Sequence, residues 1–243
     1  MLGSMGIFAR PGPLVEHDVA RWARRLTQLY VGLVLFGVSA GMQVRAGLGL
    51  DPWDVLHQGI AQRVHHAIGT VAIVLGALVL LLWWPLRQRP GVGTVSNVVV
   101  VGLALNATLV ALPPQHGYPA KIAMLLGAIV LCGLASGMYI SAGLGPGPRD
   151  GLMTGLARRT GLSVRIVRTG IELTVLACGW LLGGSVGVGT VLFALAIGPV
   201  TQQFMTVLRI PGVPQGHEGK RPRTGPQPPG DRDLACSDSN GPA

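Results

Sequence analysis

The sequence predicts an all-α membrane protein with six transmembrane helices, two short re-entrant or interfacial helices, and two inverted repeats of three spans each. Three observations support this prediction. Only 12% of the 243 residues are charged, against about 25% in soluble domains. Long apolar segments follow one another along most of the chain, and a series of motifs recurs at a constant spacing.

Six apolar segments are long enough to cross the roughly 30 Å of hydrocarbon in a bilayer, which requires about 20 residues. Five contain no charged residue, whereas the fifth in order contains Arg165, Arg168 and Glu172. Because backbone groups in lipid must bond within their own segment, all six are predicted to be helices. The segments are 26–44, 67–86, 91–112, 122–142, 162–184 and 185–208.

Composition divides the chain into four parts. Residues 1–25 are predicted to form a cytoplasmic N-terminal segment, residues 26–112 the first membrane repeat, and residues 119–208 the second. Residues 209–243 are rich in Pro and Gly and contain few apolar side chains. This last part is therefore predicted to be a disordered cytoplasmic tail.

The two membrane parts are copies of each other. Matching residues lie 96 positions apart throughout both parts, and chance does not hold one offset over so many matches. The matches include Ala46-Gly47-Leu48-Gly49 with Ala142-Gly143-Leu144-Gly145, Asp54 with Asp150, and Gly91-Val92-Gly93-Thr94-Val95 with Gly187-Val188-Gly189-Thr190-Val191.

Each copy has a short polar segment after its first span. Segments 52–66 and 148–160 carry charges, and as helices they would extend about 20 Å. That length is too short to cross the hydrocarbon. They are therefore predicted to be re-entrant or interfacial.

The number of spans per copy determines the relative orientation of the copies. Three is an odd number, so the second copy must enter the membrane from the opposite face. The positive-inside rule supports this topology, with both termini in the cytoplasm. The inside positions hold Arg10, Arg21, Arg24, Arg25, Arg87, Arg89, Arg149, Arg158, Arg159, Arg209, Lys220, Arg221 and Arg223, and the outside positions hold Arg45, Arg63 and Lys121.

The Gly-rich loops before the short helices are predicted to form the functional site. Glycine allows a close approach to a ligand, and the N-terminus of a helix offers free N–H groups. Two interpretations stay open for the matching carboxylates: they bind a cation, a proton or a polar solute, or each stabilises its own helix start by about 0.3–1 kcal/mol. The loop residues predicted to bind are Gly47, Gly49, Asp51, Asp54, Gly143, Gly145 and Asp150.

Charges inside the fifth span form a second candidate. Glu172 lies roughly 15 Å into its helix, and Arg168 precedes it by one turn on the same face. An unpaired charge at that depth costs several kcal/mol, so the two are predicted to pair. The pair either takes part in substrate or ion binding or locks helix packing. His57, His65 and His66 around the first short helix either relay protons or lie exposed at the interface.

One stretch of the chain resembles a known family. Gly47-Leu48-Gly49-Leu50-Asp51-Pro52-Trp53-Asp54, followed by the span that begins Gly91-Val92-Gly93-Thr94-Val95, resembles the YczE/YyaS/YitT group of bacterial integral membrane proteins. The resemblance covers residues 25–208 and implies an inner-membrane location and a membrane fold. It implies no substrate. The second copy departs from the pattern with Gly147-Pro148-Arg149-Asp150, which puts equal roles for the two loops in doubt.

Taken together, these features predict a small-solute or ion-coupled permease in the bacterial inner membrane. The alternative is an accessory or scaffold protein that regulates a partner complex. The chain contains no HExxH and no metal-ligand spacing, so neither an enzyme nor a metal or other cofactor is predicted. The predicted partners are the lipid bilayer and a small polar solute or ion, with no nucleic acid, and a homo-oligomer stays open.

Overall fold

The computed structural model describes the backbone of residues 13–208 and the side chains from residue 21 onward. Within these limits the chain forms eight α-helices and no strand, which confirms the all-α prediction. The predicted tail and the first twelve residues lie outside the described residues. The helices are α1 (Pro13–Ala46), α2 (Pro52–Val64), α3 (Ile68–Trp83), α4 (Val92–Ala111), α5 (Tyr118–Ser141), α6 (Pro148–Thr160), α7 (Val164–Leu181) and α8 (Val188–Val207).

Four helices in the described part of the chain are long and apolar enough to cross a membrane. They are the segment Arg21–Ala46 of α1, together with α4, α5 and α8. Helices α2 and α3 would add a fifth span if they form one segment bent by 113°. The 18 residues of α7 include Arg165, Arg168 and Glu172. Because of these charges, α7 is not among the helices that are apolar enough to cross a membrane.

Helices α1 and α5 form the centre of the bundle and run antiparallel. Near the start of α1, Arg25 Nε donates to the Ala142 carbonyl oxygen at 2.8 Å, just beyond the end of α5. At the other end of α1, the Gln115 amide donates to the Arg45 carbonyl oxygen at 3.4 Å, shortly before α5 begins. Helix α4 packs against α1, and α8 packs against α5.

The two halves differ in how their last two helices meet. Helix α3 packs closely against α4, whereas α7 packs against α2 and α6 and has little contact with α8. In the first half the contact is tight: the Gly69 amide donates to Asn106 Oδ1 at 2.9 Å. A Cβ on Gly102 would lie 2.5 Å from the Gly69 carbonyl oxygen.

Side-chain size explains this difference. Gly69, Ala72 and Gly76 lie along one face of α3, and a shift of 96 positions places Arg165, Arg168 and Glu172 on the matching face of α7. Large charged side chains cannot reproduce a contact that is built on glycine. The residue that matches Gly102 on α8 is Gly198, which is exposed, and a Cβ on Gly198 would have no neighbouring atom within 4 Å.

Candidate functional site

The two Gly-rich loops have the same backbone conformation. Gly47 and Gly143 both have φ of 63°, and Gly49 and Gly145 have φ of 119° and 126°. Residues with a side chain rarely adopt such values. A Cβ on Gly49 would also lie 2.7 Å from the Gly187 amide nitrogen. Glycine is therefore required here both for the turn and for close contact with the other repeat.

Each loop is bound by the other repeat. The Gly93 amide donates to the Leu144 carbonyl oxygen at 2.9 Å, and the Gly189 amide donates to the Leu48 carbonyl oxygen at 2.8 Å. These two bonds are equivalent under the shift of 96 positions. The repeated Gly-Val-Gly-Thr-Val motifs are thus the partners of the Gly-rich loops, and each repeat completes the site of the other.

Three polar side chains at the start of α2 form a buried chain of contacts. Asp51 is the N-cap of α2, and its Oδ1 accepts from the Asp54 amide at 2.7 Å. His57 Nδ1 lies 3.0 Å from Asp54 Oδ1. The three residues are only 3%, 2% and 4% exposed. Asp51, and not Asp54, therefore caps the helix, which leaves the side chain of Asp54 for other contacts.

Arg149 reaches this chain of contacts from the second repeat. Its Nη1 lies 3.2 Å from Asp51 Oδ2, and its Nη2 lies 3.7 Å from Asp54 Oδ1. Its guanidinium carbon lies 5.2 Å from the centroid of the Trp53 ring, within the range of a cation–π interaction. Trp53 and Arg149 occupy matching positions of the repeat, so the two short helices meet at equivalent points.

We refer to Asp51, Asp54, His57 and Arg149 as the central cluster. The first repeat supplies three of its members and the second repeat supplies Arg149, which lies 98 positions from Asp51 along the chain. Two buried carboxylates, one guanidinium and one imidazole in one place can bind a charged group or exchange a proton.

The corresponding region of the second repeat has a different partner. Tyr139 Oη donates to Asp150 Oδ2 at 3.0 Å, whereas the position that matches Tyr139 in the first repeat is Gln43. Among the described residues, neither Gln43 Oε1 nor Asp54 Oδ2 has a hydrogen-bond partner, although both are buried. Asp54 and Asp150 therefore occupy matching positions in unlike surroundings.

A small cavity of about 50 Å³ adjoins the central cluster. Trp53, His57 and Arg149 line it, together with residues of α3 and of the middle of α4. It has room for about one or two water molecules. A larger space of about 440 Å³ lies between α6 and α7, but its lining is mainly apolar. The smaller cavity is the one beside the polar groups.

The structure does not bring every predicted site residue to the central cluster. Arg168 Nε lies 2.9 Å from Glu172 Oε1, the pairing that their spacing predicts, but the two side chains are 56% and 33% exposed on α7. No hydrogen bond or ion pair within residues 21–208 links them to the central cluster. Of the three histidines, His57 is buried in the cluster, and His65 and His66 are exposed.

Comparison with known proteins agrees with the resemblance found in the sequence. A family of unknown function, DUF6198, matches residues 23–206. An uncharacterized protein of Haemophilus influenzae is 40% identical over 192 residues, which cover 79% of this chain and 88% of that protein. The uncharacterized membrane protein YczE of Bacillus subtilis is 37% identical over 186 residues, covering 75% and 84%.

A more distant relative is the uncharacterized protein YyaS of Bacillus subtilis. It is 20% identical over 185 residues, which cover 73% of this chain and 90% of that protein. No solved structure matches the chain. These matches confirm the predicted relationship to YczE and YyaS. Together with the apolar helices, they identify a membrane protein.

Proposed function

The chain belongs to the DUF6198 family, and we propose that it is a permease for a small polar solute or ion, with its binding site at the central cluster. The observation that supports this most directly is the burial of Asp51, Asp54 and His57, in contact with Arg149, beside a cavity at the junction of the two repeats. Ionisable groups inside a membrane protein are expensive to bury, and they commonly mark a substrate or ion pathway.

The proposed topology has six spans in two inverted repeats, with both termini in the cytoplasm. The antiparallel contact of α1 with α5 supports it, because these are the matching first helices of the two copies. Helix α3, with 16 residues, would extend about 24 Å and would form a span of its own. Helix α7 would cross with its charged face away from the core.

The short helices are proposed to be re-entrant. In this topology the loop before α2 begins on the outside and the loop before α6 begins on the inside. Arg149 nevertheless lies within 3.2 Å of Asp51, which favours both loops turning back toward the middle of the bundle. Irregular backbone at that depth is tolerated where it lines a cavity. Movement of one repeat against the other would then open the site to alternate faces.

The alternative function is an accessory or scaffold protein, and one feature favours it. The charged face of α7 and the exposed face of α8 are uncovered in the single chain. A partner protein could cover these faces. Such a protein would not need the central cluster for activity and would tolerate the neutral substitution Asp54→Asn.

A ligand screen tests the permease. The purified protein is heated with a panel of ions, amino acids, sugars and organic anions, because a ligand that binds the native state raises the melting temperature. We expect a compound that raises the melting temperature of the wild type and of Glu172→Gln, but not of Asp54→Asn. Glu172→Gln is the matched control, since it makes the same carboxylate-to-amide change outside the central cluster.

Transport of the compound that binds completes this test. In proteoliposomes the wild type and Glu172→Gln should take it up, and Asp54→Asn should not. A compound that binds equally well to well-folded Asp54→Asn would place the binding site elsewhere. Binding without uptake would favour the accessory function.

A further inference from the structure

The central cluster has an unbalanced charge. When both carboxylates are ionised, Asp51 and Asp54 bring two negative charges, against the one positive charge of Arg149. With His57 neutral, one net negative charge remains, and both carboxylates are almost completely buried. A buried charge without a counter-charge is costly. The uptake of one positive charge would bring the cluster to neutrality.

The position of this extra charge follows from the contacts. His57 Nδ1 already lies 3.0 Å from Asp54 Oδ1, so an imidazolium would gain a charge-assisted hydrogen bond without any movement. Asp54 Oδ2 is buried and has no hydrogen-bond partner among the described residues. His57 also lines the 50 Å³ cavity, so its ring borders a space large enough for a water molecule.

We propose that the Asp54–His57 pair binds one proton and that this proton is the ion coupled to transport. The coupling rests on the proposed permease, whereas proton binding does not. A proton fits better than a metal cation for two reasons. The Arg149 guanidinium lies 3.7 Å from Asp54 and would repel a cation, and residues 21–208 contain no group of three His, Cys, Asp or Glu side chains placed to hold a metal.

Charged and polar groups on the surrounding helices influence how tightly the Asp54–His57 pair binds this proton. Helix α6 supplies Arg149, which lies 3.7 Å from Asp54, and Asp150, whose Oδ2 accepts a hydrogen bond from Tyr139 of α5. Helix α5 also supplies the buried thiol of Cys132. Helix α3 has no charged residue. The charged residues of α7 are Arg165, Arg168 and Glu172, and all three lie on its partly or fully exposed face. Arg63 on α2 and Arg158 and Arg159 on α6 are also exposed.

Proton binding has a consequence for the contact between the repeats. A proton on the pair reduces the attraction between Asp54 and Arg149, which come from different repeats and lie 3.7 Å apart. Arg149 keeps its shorter contact with Asp51, at 3.2 Å. The protonation state of the first repeat is thus linked to how firmly it holds the second repeat.

Histidine NMR on the full-length protein tests the proposal. The ring nitrogens of ¹⁵N-labelled histidine distinguish neutral imidazole from imidazolium, and the His57→Gln variant identifies the signal of His57. We expect His57 to become protonated as the pH is lowered from about 9 to about 5, a range that spans the ordinary titration of histidine. In Asp54→Asn the midpoint should fall by at least about one pH unit, which is a roughly tenfold weaker proton affinity. The control His66→Gln changes an exposed histidine and should leave the midpoint unchanged.

Two results would overturn the proposal. A His57 that stays neutral throughout this titration would exclude the proton site, and so would a midpoint that does not move in folded Asp54→Asn. Neither measurement requires a transported solute, so a failure of the permease in proteoliposomes is distinguishable from a failure of the proton site. For the coupling, an inward proton gradient should accelerate uptake by the wild type and not by His57→Gln, and equal acceleration in both would refute it.

Discussion

At the scale of single residues, the two repeats are joined by Arg149. The matching position in the first repeat holds Trp53, and the two side chains meet with 5.2 Å between the guanidinium carbon and the ring centroid. A duplicated sequence has thus acquired different residues where its copies touch. The exchange lets one repeat supply a positive charge to the carboxylates of the other.

Removal of Arg149 should destabilise the protein more than an ordinary surface substitution. Arg149→Ala leaves Asp51 and Asp54 buried without their counter-charge, and we expect the free energy of unfolding to fall by about 2–3 kcal/mol. This is less than for a fully buried pair, because the Arg149 side chain is 28% exposed and water screens part of the interaction. Unfolding in detergent measures the change.

The double variant Arg149→Ala/Asp51→Asn provides the control for that measurement. Asn can still accept the hydrogen bond from the Asp54 amide and cap α2, but it removes one uncompensated charge. The double variant should therefore recover part of the stability lost in Arg149→Ala. If it is less stable than the single variant, the two residues do not interact as an ion pair.

At the scale of helices, the difference between the α3–α4 and α7–α8 contacts gives a matched pair of variants. A methyl group at Gly102 would meet the Gly69 carbonyl oxygen at 2.5 Å, so Gly102→Ala should lower stability by about 1–3 kcal/mol. Gly198 is the equivalent residue of α8, and a methyl group added to it would have no atom within 4 Å. Gly198→Ala should be neutral, or stabilising by up to about 1 kcal/mol through helix propensity.

Thermal unfolding of the two variants side by side measures this difference. The same substitution is made at equivalent positions of one chain, so effects of the detergent and of the residue type cancel. Equal losses of stability in the two variants would mean that α7 packs against α8 in solution as α3 packs against α4. The difference between the α3–α4 and α7–α8 contacts would then not exist in solution.

At the scale of the whole molecule, the sequence predicts the helices well because each has a simple physical origin. The lengths of the apolar segments and the constant offset of 96 positions indicate all eight helices, although α1 begins well before the first apolar segment. Gly47 and Gly143 are likewise recognisable as turn residues, because they lie at matching positions of the two Gly-rich loops. Helix boundaries depend largely on local sequence, which a single chain displays directly.

The central cluster is harder to predict because it depends on contacts distant in sequence. Arg149 lies 98 positions from Asp51, and nothing in either loop alone reveals that they meet. The departure of the second loop from the first is the one signal that the sequence offers. His57 is buried, whereas His65 and His66 are exposed. The composition of one short segment cannot predict which of its histidines is buried.

The six-span topology is open to a direct test at its two weakest helices. Helix α3 has only 16 residues, and α7 carries three charges, so either could fail to cross. Single cysteines are introduced on both sides of each helix, in a background where Cys132, Cys178 and Cys236 are replaced by Ala. The positions are Arg63→Cys and Arg89→Cys for α3, and Arg158→Cys and Ser185→Cys for α7.

Labelling of intact cells with a membrane-impermeant thiol reagent measures the side of each cysteine. Arg63→Cys and Ser185→Cys should react from outside, and Arg89→Cys and Arg158→Cys should react only after the membrane is permeabilised, because positive loops are retained inside. If Arg63→Cys and Arg89→Cys react from the same side, α3 does not span. If Arg158→Cys and Ser185→Cys do, α7 does not span, and in either case two inverted repeats of three spans cannot form.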